Sequence, residues 1–486
     1  MTCRGVERVV LFLSLAAAGA VHAAGMGAEE ARHLLARTGF SAPRLEEIDA
    51  YAGLNRQQAV DRILRATRTE ARTPPPADLG SWIPPYRLRE MSADERKLYQ
   101  RDQVERGLAL KGWWIGEMLA TDSPLTERMT LFWHNHFTSS LQKVHSARLM
   151  YRQNALLRRH ALGSFAELLH AAAKDPAMLI YLDSAGNRRG QPNENFAREV
   201  MELFTLGEGR YEERDIKDAA RAFTGWSIDR DSGEFLWRPF AHDEGAKTLF
   251  GRTGDYRGED VIAILLEQPA TAEFVVAKLW REFVSPQVDA AEVRRIAAVF
   301  RNSGYQLRAA LREIFVCGAF WAPENRGVLV KSPVDLVVGT LRQFDVGMAD
   351  PMPLAFLLRN LGQDLLSPPN VKGWPGGDAW ITSQTLLARK QFLERLMRVD
   401  ETRMAGAAMA RAAPDPQKPM ARRFLQAISE IQFSAGDWLG AFRDREMPRT
   451  LQMVLLATAP AGDQVPAGEG TALLRAVVAD PAYQLK

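Results

Sequence analysis

Three times in this chain a residue with a side-chain oxygen stands directly before a proline at the head of an apolar run: Ser123-Pro124, Asp175-Pro176 and Ser332-Pro333. The oxygen can accept from the first free N–H groups of a helix, and proline suits the first helical position because its missing N–H would have no partner there anyway. Three helix starts are therefore fixed, and the surrounding pattern agrees. Residues 27–38 and 43–66 carry apolar side chains at three- and four-residue spacing, as in Ala59, Val60, Ile63 and Leu64. Ser92 and Glu95 have capping-box spacing and open a helix predicted to run to Ala120. Further helices are predicted over 261–266, 271–283, 290–300, 307–315 and 382–398. The fold class that follows is all-α, a multi-helix bundle or orthogonal helical array. At most a minor β-hairpin is expected, around Phe235-Leu236-Trp237 and Thr248-Leu249-Phe250.

The ends and joints of the chain suggest its organisation. Arg4 and Arg8 precede an apolar run from Val9 to Val21, and Val21-His22-Ala23 has the small residues of a cleavage site, so residues 1–23 read as a secretory signal peptide. The run is too short to span a bilayer comfortably. A periplasmic or secreted protein with no stable membrane span after cleavage is the expectation. An N-terminal helical segment (24–72) should then lead through a stiff, extended, proline-rich connector (73–91), with Thr73-Pro74-Pro75-Pro76 and Ile83-Pro84-Pro85-Tyr86, into a main helical domain (92–403). A linker rich in Ala, Pro and Arg (404–420) and a last helical segment (421–486) complete the division.

Charge and cysteine content narrow the function classes. The formal net charge of +3 becomes +2 when the leader takes away Arg4, Arg8 and Glu7. Such balance gives no support to a general nucleic-acid binder, which needs positive charge massed on one face. Cys3 leaves with the leader, so Cys317, inside an apolar run, has no intrachain partner and reads as a buried thiol. There is no G-x-S-x-G elbow, H-E-x-x-H helix, P-loop or dinucleotide fingerprint.

Two clusters look chemical. On a helix opened by Pro192, Phe196, Val200, Leu203 and Phe204 form an apolar stripe, and Asn195, Glu199 and Glu202 fall beside it. Two carboxylates at the core's edge can ligate a metal or work as an acid and base pair. They can equally be structural, with Glu202 paired to Arg198 across one turn. In the second cluster, Trp133-His134-Asn135-His136-Phe137, the outcome turns on the backbone. A continuous helix over 124–136 would point the two imidazoles apart, whereas an extended His134-Asn135-His136 would set both on one side. In the second case His134, His136 and Glu199, with a contribution from His242-Asp243, suit zinc or a similar divalent metal. The enzymatic expectation is a metal-dependent hydrolase in which Glu202 is acid or base and Arg198 or Asn195 orients a polar or anionic substrate. The alternative is a non-catalytic assembly or binding partner of another secreted protein, with the same polar residues cross-linking helices. Trp113-Trp114 reads as core. Trp374 and Trp380, in a loop rich in Gly and Pro, either face a ligand such as a sugar or plug the core.

The longer motifs carry a resemblance. Phe132 to Phe137, Asp175-Pro176-Ala177-Met178, Asn193-Glu194-Asn195-Phe196-Ala197-Arg198-Glu199, and Glu202-Leu203-Phe204-Thr205-Leu206-Gly207 occur in the order of one family. So do Phe223-Thr224-Gly225-Trp226, His242-Asp243, Leu329-Val330-Lys331-Ser332-Pro333 and the stretch from Pro369 to Gly377. Over roughly residues 28 to 400 the chain resembles the bacterial domain-of-unknown-function family 1800 (DUF1800). The resemblance implies an exported bacterial protein, frequently encoded beside a secreted sulfatase-like protein that could be its partner. It supplies no reaction, substrate or catalytic residue. Val200 stands where the family pattern leads one to expect leucine.

Overall fold

The computed structural model describes residues 25–40, 43–398, 431–462 and 469–486. The expected signal peptide and the 404–420 linker lie outside the described residues. The described chain forms 23 helices and two two-stranded ribbons, an all-α array.

The sequence starts the helices where the caps said it would. α1 is Gly27–Thr38, and the 43–66 stretch divides at Gly53 into α2 (Leu45–Ala52) and α3 (Arg56–Arg65). The connector is not extended throughout. Pro85 opens a short helix, α4 (Pro85–Glu90), because proline is as acceptable at the first helical position here as at Pro124. α5 (Ala93–Ala120) begins at the Ser92 capping box, and α6 (Pro124–His136) follows. α7 (Leu141–Val144), α8 (Ala147–His160), α9 (Phe165–Ala173) and α10 (Pro176–Tyr181) lead to α11 (Glu194–Glu199). Asn193, and not Pro192, precedes that helix, accepting from the Asn195 N–H.

After α12 (Glu213–Ala222), two ribbons replace the single expected hairpin. β1 (Trp226–Ile228) pairs with β2 (Phe235–Trp237), and β3 (Lys247–Leu249) pairs with β4 (Arg252–Gly254), both antiparallel. Gly225 lets the chain enter β1: its φ is +89°, and a Cβ there would lie 2.7 Å from the Trp237 ring and 2.8 Å from the Arg238 carbonyl. The array resumes with α13 (Gly258–Glu267), α14 (Pro269–Phe283), α15 (Ala290–Asn302) and α16 (Leu307–Val316). α17 (Gly318–Trp321), α18 (Pro333–Gln343), α19 (Met352–Asn360) and α20 (Ser383–Met397) complete the labelled helices.

Two apolar clusters make the core, and they interleave along the sequence. One gathers Trp133, Phe165, Phe204, Trp226, Trp280 and Phe315; the other gathers Trp114, Leu336, Leu358, Leu451, Leu474 and Tyr483. α1 contributes Leu34 to the first and Ala31 to the second, so the N-terminal helices are built into both. Each fully buried large side chain stabilises the fold by about 1.5–3 kcal/mol. One buried ion pair ties the elements together: Arg158 meets Glu127 at 2.5 Å, and the Trp114 indole N–H donates to the same carboxylate at 3.0 Å. Breaking such a pair would strand the remaining charge at a cost of about 3–5 kcal/mol.

Candidate functional site

α6 runs unbroken to His136, and that single fact redistributes the residues nominated as metal ligands. Positions two apart on a helix point to different sides. His134 packs between the Trp114 and Trp374 rings, each 5.6 Å away, and its Nε2 is buried without a partner. Burial, with Lys111 nearby, pushes this imidazole down to about 3, so it is neutral at ordinary pH. His136 lies among Phe137, Phe204 and Phe274, its Nε2 3.1 Å from the Phe204 carbonyl. A carbonyl only accepts, so Nε2 carries the proton and Nδ1 is a bare lone pair, buried and unpartnered. Burial and Lys278 hold this ring well below its ordinary value too.

Between them, Asn135 accepts from the Trp374 N–H at 2.7 Å. It thereby pins the 367–381 loop to the end of α6. Gly373 makes the approach possible, with φ +84° and a would-be Cβ 2.7 Å from the Asn135 carbonyl. The Trp-His-Asn-His run is thus a joint: His134 packs between α5 and the 367–381 loop, Asn135 bonds that loop, and His136 bonds the Phe204 carbonyl.

The other nominated ligands lie in two further settings. The His242 Nδ1 is 2.9 Å from the Thr224 carbonyl, and Asp243 is bridged by the Arg221 guanidinium at 2.9 and 3.0 Å, locking α12 to the ribbons. Arg221 holds the Asp243 carboxyl below its usual range. The expectation that His134, His136, Glu199, His242 and Asp243 converge is therefore corrected. Among the described residues no group of three or more His, Cys, Asp or Glu side chains is arranged to hold an ion.

Glu199 and Glu202 do border the core, both half-buried. The backbone after Glu199 winds as a π-helix, Val200–Thr205, with the Leu206 N–H reaching back five residues to Met201. Such turns are frequent at functional sites. Burial, reinforced by Glu202, raises the Glu199 carboxyl above the ordinary range. Glu202 accepts from the Tyr211 hydroxyl at 2.6 Å, and burial and that bond raise the phenol to about 12. Arg198 reaches outward to Glu213 at 2.7 Å and Glu194 at 3.6 Å, so the expected Arg198–Glu202 pair does not form. Asn195 is exposed, its backbone N–H held by Asn193.

A cleft of about 460 Å³ lies between α6, α14, the 328–335 segment and the 367–381 loop. Three motifs of the resemblance meet on it: Asn135 and His136; Val330 and Ser332; and Lys372, Trp374 and Gly376. Trp374 and Trp380 are 5% and 6% exposed, so both plug the core and offer the cleft only an edge. Five cations line it against three carboxylates. Arg128 bonds Asp335 at 2.7 Å and Glu282 at 2.6 Å, and Lys486 bonds Asp335 at 2.7 Å, so that wall is neutral. Arg128 and Lys486 hold the Asp335 carboxyl far below its usual range despite burial. Lys372 meets Glu208 at 2.9 Å.

Lys278 and Arg281 remain. Neither has a carboxylate partner among the described residues. The Lys278 ammonium lies 5.3 Å from the Phe274 ring, and Arg281 makes one long bond to the Ala277 carbonyl. Burial, and then Arg281, push Lys278 down to about 8. An ammonium left without a counter-ion on a partly desolvated wall is a costly arrangement that an anion would relieve.

Sequence reasoning missed Lys278 and Arg281. They read as the polar flank of an amphipathic helix, and only the fold shows that Glu282 and Asp335 are spent on Arg128 and Lys486. A family model described as "Protein of unknown function (DUF1800)" matches residues 33–485. No curated protein and no solved structure matches. The match extends beyond residue 400 and takes in most of the C-terminal helical segment, which packs into the second core cluster.

Proposed function

The chain belongs to the DUF1800 family, whose description carries no activity, and on that premise we propose that it binds an organic anion in the cleft between α6, α14 and the 367–381 loop. The observation that carries this reading is the uncompensated Lys278–Arg281 pair on the cleft wall. Apolar side chains on the same cleft, Phe40, Leu131 and Phe132, suit a ligand with a hydrocarbon or ring body and one anionic group. The volume fits a small molecule. Export, expected from residues 1–23, would place that ligand outside the cytoplasm. The reading is tested by titrating benzoate, galacturonate and inorganic phosphate into the purified protein and into a Lys278→Met/Arg281→Gln variant by calorimetry. Binding of an organic anion that disappears in a still-folded variant supports it. Equal binding by both proteins, or no binding of any probe, overturns it.

A second reading, the hydrolase, keeps one supporting observation: the raised Glu199 carboxyl next to Glu202 on the π-turn. Lys372, at the cleft, acts electrostatically on both glutamates, which ties the pair to the mouth of the same site. In this reading Glu199 is the acid and Glu202, hydrogen-bonded from Tyr211, the base. A divalent ion would be held there by carboxylate and substrate oxygens, without the histidines. Elemental analysis of the wild type against Glu199→Gln/Glu202→Gln tests the ion, and loss of that ion from a folded variant is the supporting result.

A further inference from the structure

Next to the cleft lies a second cavity of about 360 Å³, and Arg281 lines both. Its other cations are Arg210 and Arg294. Arg294 has no carboxylate partner among the described residues, and Arg210 has only Glu273, at 3.9 Å. An exposed pair at that distance neutralises little. Glu273 is itself on the wall, and the rest of the lining is apolar, formed by Leu206, Phe274, Ala277 and Val293 among others. Phe274 joins the two cavities: its ring borders the second and stands 5.3 Å from the Lys278 ammonium in the first. Gly207 leaves that ring its place, since a Cβ there would come within 3.1 Å of it at φ +87°.

Two of the four cations, Lys278 and Arg281, stand on α14, while Arg294 stands on α15 and Arg210 just before α12. Lys278 lines only the first cavity, Arg210 and Arg294 line only the second, and Arg281 lines both. A single oxyanion at Lys278 would leave Arg210 and Arg294 unanswered. A ligand with repeated negative charge can answer all four cations. An inorganic polyanion would meet the cations but leave the Phe274 ring and the apolar walls facing water. A chain of rings that carry carboxylates uses both, because sugar rings present C–H faces to aromatic and aliphatic side chains while their charges point outward. Building on the anion-binding reading of the cleft, we infer that the natural ligand is a linear acidic oligosaccharide laid across α14, with one carboxylate at Lys278 and Arg281 and the next at Arg294 and Arg210.

The test compares galacturonate with tetragalacturonate by calorimetry at 0.05 and 0.15 M salt, using the full chain without its leader. The tetramer is expected to bind at least tenfold more tightly than the monomer, because the second contact is made at high effective concentration. It should also lose affinity more steeply with salt. The exposed pair Arg210→Gln/Arg294→Gln should abolish that tenfold gain and leave monomer binding unchanged. Equal affinity for tetramer and monomer, with monomer binding still dependent on Lys278, would overturn the inference and spare the cleft. No binding of either would overturn both. Tripolyphosphate binding as tightly as tetragalacturonate would overturn the assignment to a glycan, as would tetramer binding indifferent to the double substitution.

Discussion

Replacing Lys278 by methionine separates a binding cation from a structural one. Lys278 is depressed from 10.5 to about 8. At about 1.4 kcal/mol per pH unit, the charged form in the fold costs about 3 kcal/mol relative to the unfolded chain. The side chain is partly exposed, so water screens the site and this is an upper bound. The sign follows from the two protonation states. Below pH 8 the lysine is charged in both folded and unfolded chains, and the whole cost is present. As pH rises from 8 to 10.5 the folded form sheds its proton first, and the cost fades. Methionine keeps the stem and its packing beside Phe274 without the charge. Lys278→Met should therefore raise Tm at pH 7 by roughly 3 °C or less, taking about 2.1 cal/mol/K per residue over this chain. It should also lose anion binding, and its Tm advantage should shrink between pH 8 and 10.5. Scanning calorimetry at pH 7, 9 and 10.5, with and without galacturonate, measures all three. A variant less stable than the wild type at pH 7 would refute the claim that this ammonium lacks a counter-ion.

Acid should destabilise the fold through its buried imidazoles. His134, held at about 3, stays neutral while the unfolded chain takes up protons below about 6.5, costing up to about 2 kcal/mol at pH 5. Asp175, raised to about 6 by burial, works the other way between pH 6 and 4, so His134→Gln should flatten the acid limb of Tm against pH without removing it. Asn135→Ala should strand the Trp374 N–H at a cost of about 1–3 kcal/mol and loosen the loop, read as a red shift in tryptophan emission. A variant with unchanged Tm and emission would contradict the joint described for α6. Glu199→Gln removes a carboxyl that burial disfavours, so Tm should hold or rise; a clear fall in Tm would show that the residue is structural.

Much of the fold was legible because helix boundaries are local chemistry. Ser92, Asp175 and Ser332 accept from the backbone N–H three residues on, as their spacing requires, and all three prolines open helices. Ser123 is the instructive exception: its helix begins on schedule, but its hydroxyl meets Thr126 Oγ1 at 2.7 Å and caps no N–H. Of the expected stripe, Phe196, Val200 and Phe204 are buried and Leu203 is half-buried, with Glu199 and Glu202 at its edge. A 3.6-residue pattern has no means to announce the π-turn that follows Glu199, which depends on Thr205 and Leu206 reaching back five residues.

The site was less legible, for a different reason. Residue type and spacing said that His134, Asn135 and His136 do something that needs a hydrogen bond or a ring. The partners they found, Trp114, Trp374 and Phe204, are up to 240 residues away. A run of amino acids fixes what can be capped, buried or charged, because those depend on neighbours in the chain. Whether a charge is answered depends on which distant element arrives beside it. Arg128 was met by Asp335 and Glu282, whereas Lys278 and Arg281 were met by no carboxylate among the described residues, and only the packing of α14 against α6 decided that.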